Sequence, residues 1–223
     1  MNFYKPEIQI VVSRYNEDLN WLRNFAKYTV VIYNKGPNED FYRPPKHQVI
    51  DLPNVGREGH TYLYHVVKNY DKLQRITIFL PGSANMFQKF PKCVRLIREI
   101  EKNRRAVFIG TPVSLGEFFP FYLDEWKSSS PENFILNPET RLEPSRFRPF
   151  GIWYNEVIKD TLTHYTFFGI FSVEKSDILR RSKNFYMNLL QELSRSPNPE
   201  VGHYIERSWA SIFTLKDTRV LFE

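Results

Sequence analysis

Four short runs rich in β-branched and aromatic residues set the limits on what this chain can fold into: Ile8 to Ser13, Tyr28 to Tyr33, His47 to Leu52 and Arg75 to Leu80. Each reads as a strand. Between them lie stretches of helical period. Leu63, Val66, Val67 and Tyr70 form one apolar stripe, and Pro91 to Asn103 reads as an amphipathic helix. A short helix around Leu19 to Ala26 turns Trp21, Leu22 and Phe25 inward, and a fifth strand is expected at Ala106 to Gly110. Strands alternating with helices of about a dozen residues predict an α/β chain whose sheet is mostly parallel and flanked by helices on both faces.

In open sheets of this kind ligands sit beyond the carboxyl ends of the strands. The segments just past those ends are Ser13 to Glu17, Tyr33 to Lys35, Asn54 to Glu58 and Pro81 to Asn85. The third is the richest in chemistry. Pro53 stops a strand, Asn54-Val-Gly56 makes a turn in which glycine permits a positive φ, and a helix follows at once. Arg57 and Glu58 stand at that helix start, away from the apolar stripe. A helix N-terminus offers free N–H groups to a phosphate, and Arg57 adds a bidentate donor. An ordinary βα turn with a solvated Arg–Glu pair would look the same.

The second half has a different texture. Thr111 to Ile152 is rich in Pro, Ser, Phe and Arg and reads as a long elaborated loop, a lid or a flexible segment. His164 to Val173 reads as one further strand, and Glu174 to Arg180 as a helix with Ser176 available as its cap. Asn184 to Leu193 and Glu200 to Thr214 read as helices, the last with Val201, Ile205, Trp209 and Ile212 facing inward. The expectation is a single domain over residues 1–223 whose character changes at about residue 110.

The lone cysteine, Cys93, falls among Val94, Ile97 and Ile100, so it is expected to be buried; one cysteine makes neither an internal disulfide nor a cysteine metal cluster. No run approaches the roughly 18 apolar residues of a spanning helix, and the first residues lack the apolar core of a signal peptide. A cytoplasmic protein is expected, docking peripherally if it works at a membrane. The net charge of +6 is spread along the chain. That balance suits phosphates, but without a basic cluster or a nucleic-acid motif it does not predict a nucleic-acid partner.

The order of motifs resembles nucleotide-sugar glycosyltransferases of the GT-A fold. The resemblance runs from about residue 8 to 213 through Val12-Ser-Arg-Tyr-Asn-Glu17, Val31-Ile-Tyr-Asn34, Asn54-Val-Gly56, Phe168-Gly-Ile-Phe-Ser-Val-Glu174 and Gly202-His-Tyr-Ile-Glu-Arg-Ser-Trp209. Asn-x-Gly-Arg-Glu with Tyr-Leu, and Glu-Arg-x-Trp near the end, resemble more narrowly a family of uncharacterised domains, some described as glycosyltransferases. The resemblance implies a GT-A-like, Rossmann-like sandwich, with a nucleotide-binding half to about residue 110 and an acceptor or lid half beyond, and transfer of a sugar from a nucleotide-sugar donor to a glycan or other hydroxyl acceptor. It implies Ser13, Arg14, Asn16 and Asn34 near the nucleotide. Gly82 and Ser83 would approach the diphosphate beside Lys35, Asn54 and Gly56. Glu206 would be the base of an inverting reaction, with Arg57 and Glu58 beside it.

One departure bears on cofactors. GT-A enzymes usually carry Asp-x-Asp after the fourth strand to hold Mn²⁺ or Mg²⁺; here the place reads Leu80-Pro-Gly-Ser-Ala-Asn85, without a carboxylate. Either a metal site is built elsewhere, or cations such as Lys35, Arg57 or the arginines at 141, 146 and 148 neutralise the diphosphate, or the chain is a non-catalytic nucleotide- or glycan-binding domain of the same fold. Glu206 is either a tuned carboxylate beside the buried stripe or a surface residue paired with a neighbouring base. His203 either faces the same cleft as Glu206 or is solvated, and His60 with His65 are about 140° apart on a helix, which rejects a metal pair. The sequence assigns no nucleotide, sugar, acceptor or oligomeric state.

Overall fold

The computed structural model describes residues 7–113, 115–126, 141–213, 215 and 219–222. In chain order the strands are β1 (Ile8–Arg14), β2 (Thr29–Asn34), β3 (His47–Asp51), β4 (Ile76–Pro81), β5 (Val107–Ile109), β6 (Thr111–Pro112), β7 (His164–Tyr165), β8 (Phe171–Glu174) and β9 (Arg219–Leu221). The helices are α1 (Arg57–Asn69), α2 (Phe90–Asn103), α3 (Leu115–Phe118), α4 (Phe150–Trp153), α5 (Lys175–Ile178), α6 (Lys183–Leu193) and α7 (Glu200–Ile212). Short 3-10 turns at Asn20–Phe25 and Tyr70–Lys72, and a π turn at Tyr154–Ile158, complete the set.

The central sheet runs β3-β2-β1-β4-β8. The first four strands are parallel, and β8 pairs antiparallel with β4. Alternation along the strands divides the interior in two. Ile10, Val12, Val30, Ile32, Ile76, Ile78 and Leu80 face α2 and the 3-10 turn, whose Trp21, Leu22 and Phe25 are buried as the sequence predicts. Val11, Val31, Tyr33, Phe79, Phe171 and Val173 face α1, α6 and α7. That second face is a stack of rings. Phe79, Phe171, Trp209 and Phe213 lie within 6.1 Å of one another in successive pairs. Cys93 is fully buried on the α2 side.

Several elements depart from the sequence expectations. The run at Ala106 to Gly110 does not extend the central sheet; β5 pairs parallel with β9, close to the end of the chain. His164 to Val173 is not one strand. It breaks into β7 and β8, because Phe168 and Gly169 both take positive φ, 71° and 62°, which no strand tolerates. Ser176 is not the cap of the following helix; Glu174 and Asp177 form a reciprocal capping box there. Within Thr111 to Ile152 the described residues form β6, α3 and α4, and residues 127–140 lie outside the described set.

Candidate active site

In the order 3-2-1-4, the chain runs outward from β1 through β2 to β3 and then crosses back to place β4 on the other side of β1, so the strand order reverses there and a crevice opens at the carboxyl ends of β1 and β4. A cavity of about 700 Å³ occupies that crevice. Of the residues singled out from the sequence, Ser13, Arg14, Lys35, Asn54, Arg57, Glu58, Gly82, Ser83 and Glu206 line it; Asn16, Asn34 and Gly56 do not. Glu17, Lys89, Trp126 and Phe168 join the lining without having been singled out as site residues, and His203 lines it too, the first of its two expected placements.

Several of these groups hold the wall together. Arg14 is almost wholly buried. Its Nε donates to the Glu17 carbonyl at 2.7 Å, its Nη1 donates to Asn34 Oδ1 at 2.5 Å and to the Asn38 carbonyl at 2.7 Å, and its guanidinium lies 3.9 Å from the Phe41 ring centre. Asn34 is thereby engaged from the back, and its Nδ2 donates to the Gly36 carbonyl at 3.0 Å. The pair ties the ends of β1 and β2 to the loop behind them. Gly56, at φ 59°, donates its amide to the Ser196 carbonyl at 2.7 Å. A Cβ there would stand 2.4 Å from the Leu193 carbonyl oxygen, so this glycine lets α1 start against the end of α6. Gly82 answers a different demand. A Cβ on it would fall 2.6 Å from Glu17 Oε2, and its carbonyl accepts the Trp21 indole N–H at 2.8 Å.

Three further cations line the cavity. Lys35 is buried, and its Nζ donates to the carbonyls of Val55 and Arg57, the latter at 2.6 Å. Burial draws its pKa down to about 7; Glu58 works against that fall and Arg57 adds to it. Arg57 is pinned from two sides. Its guanidinium lies 3.6 Å from the Trp126 ring centre, and Nη1 meets His203 Nε2 at 3.2 Å. His203 is therefore not solvated but 5% exposed, and burial with two neighbouring arginines holds its pKa at about 2. A neutral imidazole accepts at Nε2 from the charged arginine. Lys89 Nζ donates to Ser83 Oγ at 2.7 Å at the end of β4. Burial lowers its pKa, and the carboxylates Glu58, Glu17 and Glu206 offset that fall.

The carboxylates complete the site. Glu17 accepts the amides of Tyr15 at 2.7 Å and Asn16 at 3.1 Å. Glu58 lies 3.8 Å from Arg57 Nε. Glu206 accepts the Phe168 amide at 2.8 Å, and the positive-φ break at 168–169 is what aims that amide at α7. Burial raises the pKa of Glu206 and Glu58 raises it further, while Arg57, Arg207 and the Phe168 amide pull it back. A half-buried carboxyl facing a second carboxyl holds a proton to higher pH than a solvated glutamate does.

The far wall is anchored by Glu200. Its fully buried carboxylate accepts the Leu123 amide at 2.9 Å, the Ser145 amide at 2.8 Å and the Tyr204 hydroxyl at 2.7 Å, and it pairs with Arg148 Nε at 2.9 Å. The strands of chain on either side of residues 127–140 are thus fastened to α7, which places Trp126 over Arg57. Arg148 serves this anchor, Arg146 lies over Phe147, and neither lines the cavity.

The edge at the end of β4 fits a divalent metal poorly. Ser83 Oγ, the oxygen at the end of β4, already receives an ammonium group. Among the described residues no three of His, Cys, Asp and Glu come together as a metal site. No helix of the described residues is long and apolar enough to cross a membrane.

Comparison with known proteins adds two likenesses. A family model described as a protein of unknown function (DUF3431) matches residues 10–95, from β1 into α2. No curated protein matches. Among solved structures, the crystal structure of S. aureus TarS 1–349 is similar at a TM-score of 0.42 and 11% identity; the likeness covers 97% of this chain and 58% of that one. This chain therefore spans little more than half the length of that structure.

Proposed function

We propose that the cavity binds a nucleotide-sugar donor and that the protein transfers the sugar to a hydroxyl acceptor on a glycan or similar molecule, with inversion at the anomeric carbon. The observation that carries this reading is Glu206, a half-buried carboxyl raised in pKa, aimed into a cavity at the carboxyl ends of a parallel sheet with Lys35, Arg57 and Lys89 on the same walls. The GT-A-like sandwich belongs to the same proposal; the order β3-β2-β1-β4 with an antiparallel β8 supports it.

The chemistry follows from the groups present. Glu206 takes the proton of the acceptor hydroxyl as its oxygen bonds to the anomeric carbon. The bond from that carbon to the donor phosphate breaks, and its electron pair stays on the phosphate oxygen. Charge developing there is met by fixed cations in a partly dehydrated site. Lys89 stands at the end of β4 and supports a reaction in which fixed cations take the place of Mn²⁺ or Mg²⁺. Glu58 keeps the Glu206 proton affinity high and holds Arg57 in place.

The neutral Pro81–Ser83 edge favours a second reading, donor or glycan binding without transfer. A thermal-shift screen against UDP-, GDP-, dTDP- and CMP-sugars, each with and without Mn²⁺, tests the first. Ligand at 100 times its dissociation constant adds about 2.7 kcal/mol, roughly 5–10 °C in melting temperature for a chain of this size. The expected result is a shift with one nucleotide, equal with and without metal. No shift with any donor overturns the proposal. A shift with no sugar released or transferred leaves the binding reading in its place.

A further inference from the structure

The cavity's outer lip continues into a surface of a different kind. The amides of Lys89 and Phe90 donate to the Met86 carbonyl at 2.9 and 3.0 Å, and that of Cys93 donates to the Lys89 carbonyl at 3.0 Å. The backbone therefore coils helically from Met86 straight into α2. Positions 87, 91, 94, 98 and 102, three and four residues apart, fall on one stripe. The opposite side of the helix, Cys93, Leu96, Ile97 and Ile100, is sunk in the core, so the stripe faces outward. Phe87 is 93% exposed and Val94 41%. Pro91, Arg98 and Lys102 are exposed too, and Arg95 stands beside them half-buried. The stripe is apolar where it meets the cavity mouth and basic along the rest of its length.

A phenylalanine ring held almost entirely in water is a standing cost unless something covers it. The charges say what. Arg95, Arg98 and Lys102 follow the apolar tip, and the two acids of the same helix have partners of their own: Glu99 accepts from Asn103, while Glu101 takes Lys27 and the Tyr28 hydroxyl. The net charge of +6 has the same sign. An apolar tip next to basic side chains matches an interface of hydrocarbon beneath anionic headgroups.

We propose that this stripe seats the protein peripherally on an anionic lipid surface, with Phe87 and Met86 entering the interface and Arg95, Arg98 and Lys102 meeting headgroup phosphates. The cavity mouth, lined by Met86 and Phe87, then opens at the membrane. This inference stands on the surface alone and does not depend on the transferase reading.

The test is co-sedimentation of the full chain with phosphatidylcholine vesicles, with and without phosphatidylglycerol. Partitioning is expected only with the anionic lipid, declining as salt rises. Arg95→Glu with Arg98→Glu should lower it by at least about tenfold, and Phe87→Ser should lower it at an unchanged melting temperature. Phe87→Trp should show a blue-shifted emission on vesicles, quenched by brominated lipid. Any one of these results overturns the proposal: equal partitioning to neutral and anionic vesicles, binding to soluble polyglutamate as tight as to vesicles and indifferent to Phe87, or self-association abolished by Phe87→Ser. A Trp emission that stays water-like on vesicles does so as well.

Discussion

Gly56→Ala separates a packing role from a ligand role at the turn that opens α1. At φ 59° an L-residue incurs about 1–2 kcal/mol of backbone strain. Its new Cβ would also stand 2.4 Å from the Leu193 carbonyl oxygen and 2.6 Å from Leu193 Cβ. These are backbone and near-backbone atoms, so relief requires α1 and α6 to part, an overpacking cost of about 1–3 kcal/mol. The expected loss is about 2–5 kcal/mol, a large share of the roughly 5–15 kcal/mol that stabilises a typical protein. Urea unfolding followed by circular dichroism measures it: the midpoint falls while the slope against denaturant is unchanged. A loss below about 1 kcal/mol would refute the close-packing argument. Because Gly56 does not line the cavity, donor affinity of the folded variant should stay near that of the parent. Normal stability with lost affinity would mean that the glycine meets the ligand itself.

Four further perturbations probe the site and its surroundings. Glu206→Gln should abolish transfer and leave donor affinity in place, measured by product formation beside calorimetry; turnover at the parent rate removes Glu206 from the mechanism. Glu58→Gln removes a charge that raises the Glu206 pKa, so the acidic limb of kcat/KM should move to lower pH; an unmoved limb contradicts the coupling. Arg57→Ala should weaken donor binding by about 1.5–3 kcal/mol, the value of a charged hydrogen bond, and an unchanged Kd would rule the contact out. His60 and His65, each held at about 4, and His203, at about 2, are neutral when folded and protonate in the unfolded chain near pH 6.5. Folded pKa values below the unfolded ones mean stability present above pH 6.5 and lost as pH falls, by up to roughly 4 kcal/mol per pH unit for the three together. Glu206 and Glu192, raised on folding, act in the opposite direction. A urea midpoint equal at pH 7 and pH 5 would show that the histidines do not outweigh these two carboxyls.

The parallel strands β1 to β4 and helices α1 and α2 were legible because each carries a strong local pattern, and the strand ends then located Ser13, Lys35, Arg57, Glu58 and Ser83 on one crevice. What the pattern could not show was distant pairing. Nothing local says that Phe171 to Glu174 returns antiparallel beside β4, or that β9 pairs with β5. Phe168 hid for the same reason: a run of apolar residues reads as continuous strand, and the positive φ that breaks it depends on Glu206 and Glu58 packing nearby. Lys89 and Trp126 lie outside regular periodicity, and each joins the site through a partner far off in sequence or in a turn. His203 sits on α7 beside Tyr204 and Ile205, and its burial comes from Trp126 across the cavity.

The antiparallel pairing of β8 against β4 joins residues far apart in sequence, from Phe79 with Phe171 to Ile76 with Glu174. Every position of β4 is buried, so until β8 arrives this strand is an uncovered apolar edge with free amides and carbonyls, the kind of template on which other chains assemble. Closing a loop of that length is a slow, entropically costly step. A nascent or truncated chain that ends before residue 171 would therefore carry an open β4 edge and none of the α7 wall. Loss of the last fifty residues should be read as insolubility first and as missing activity only second.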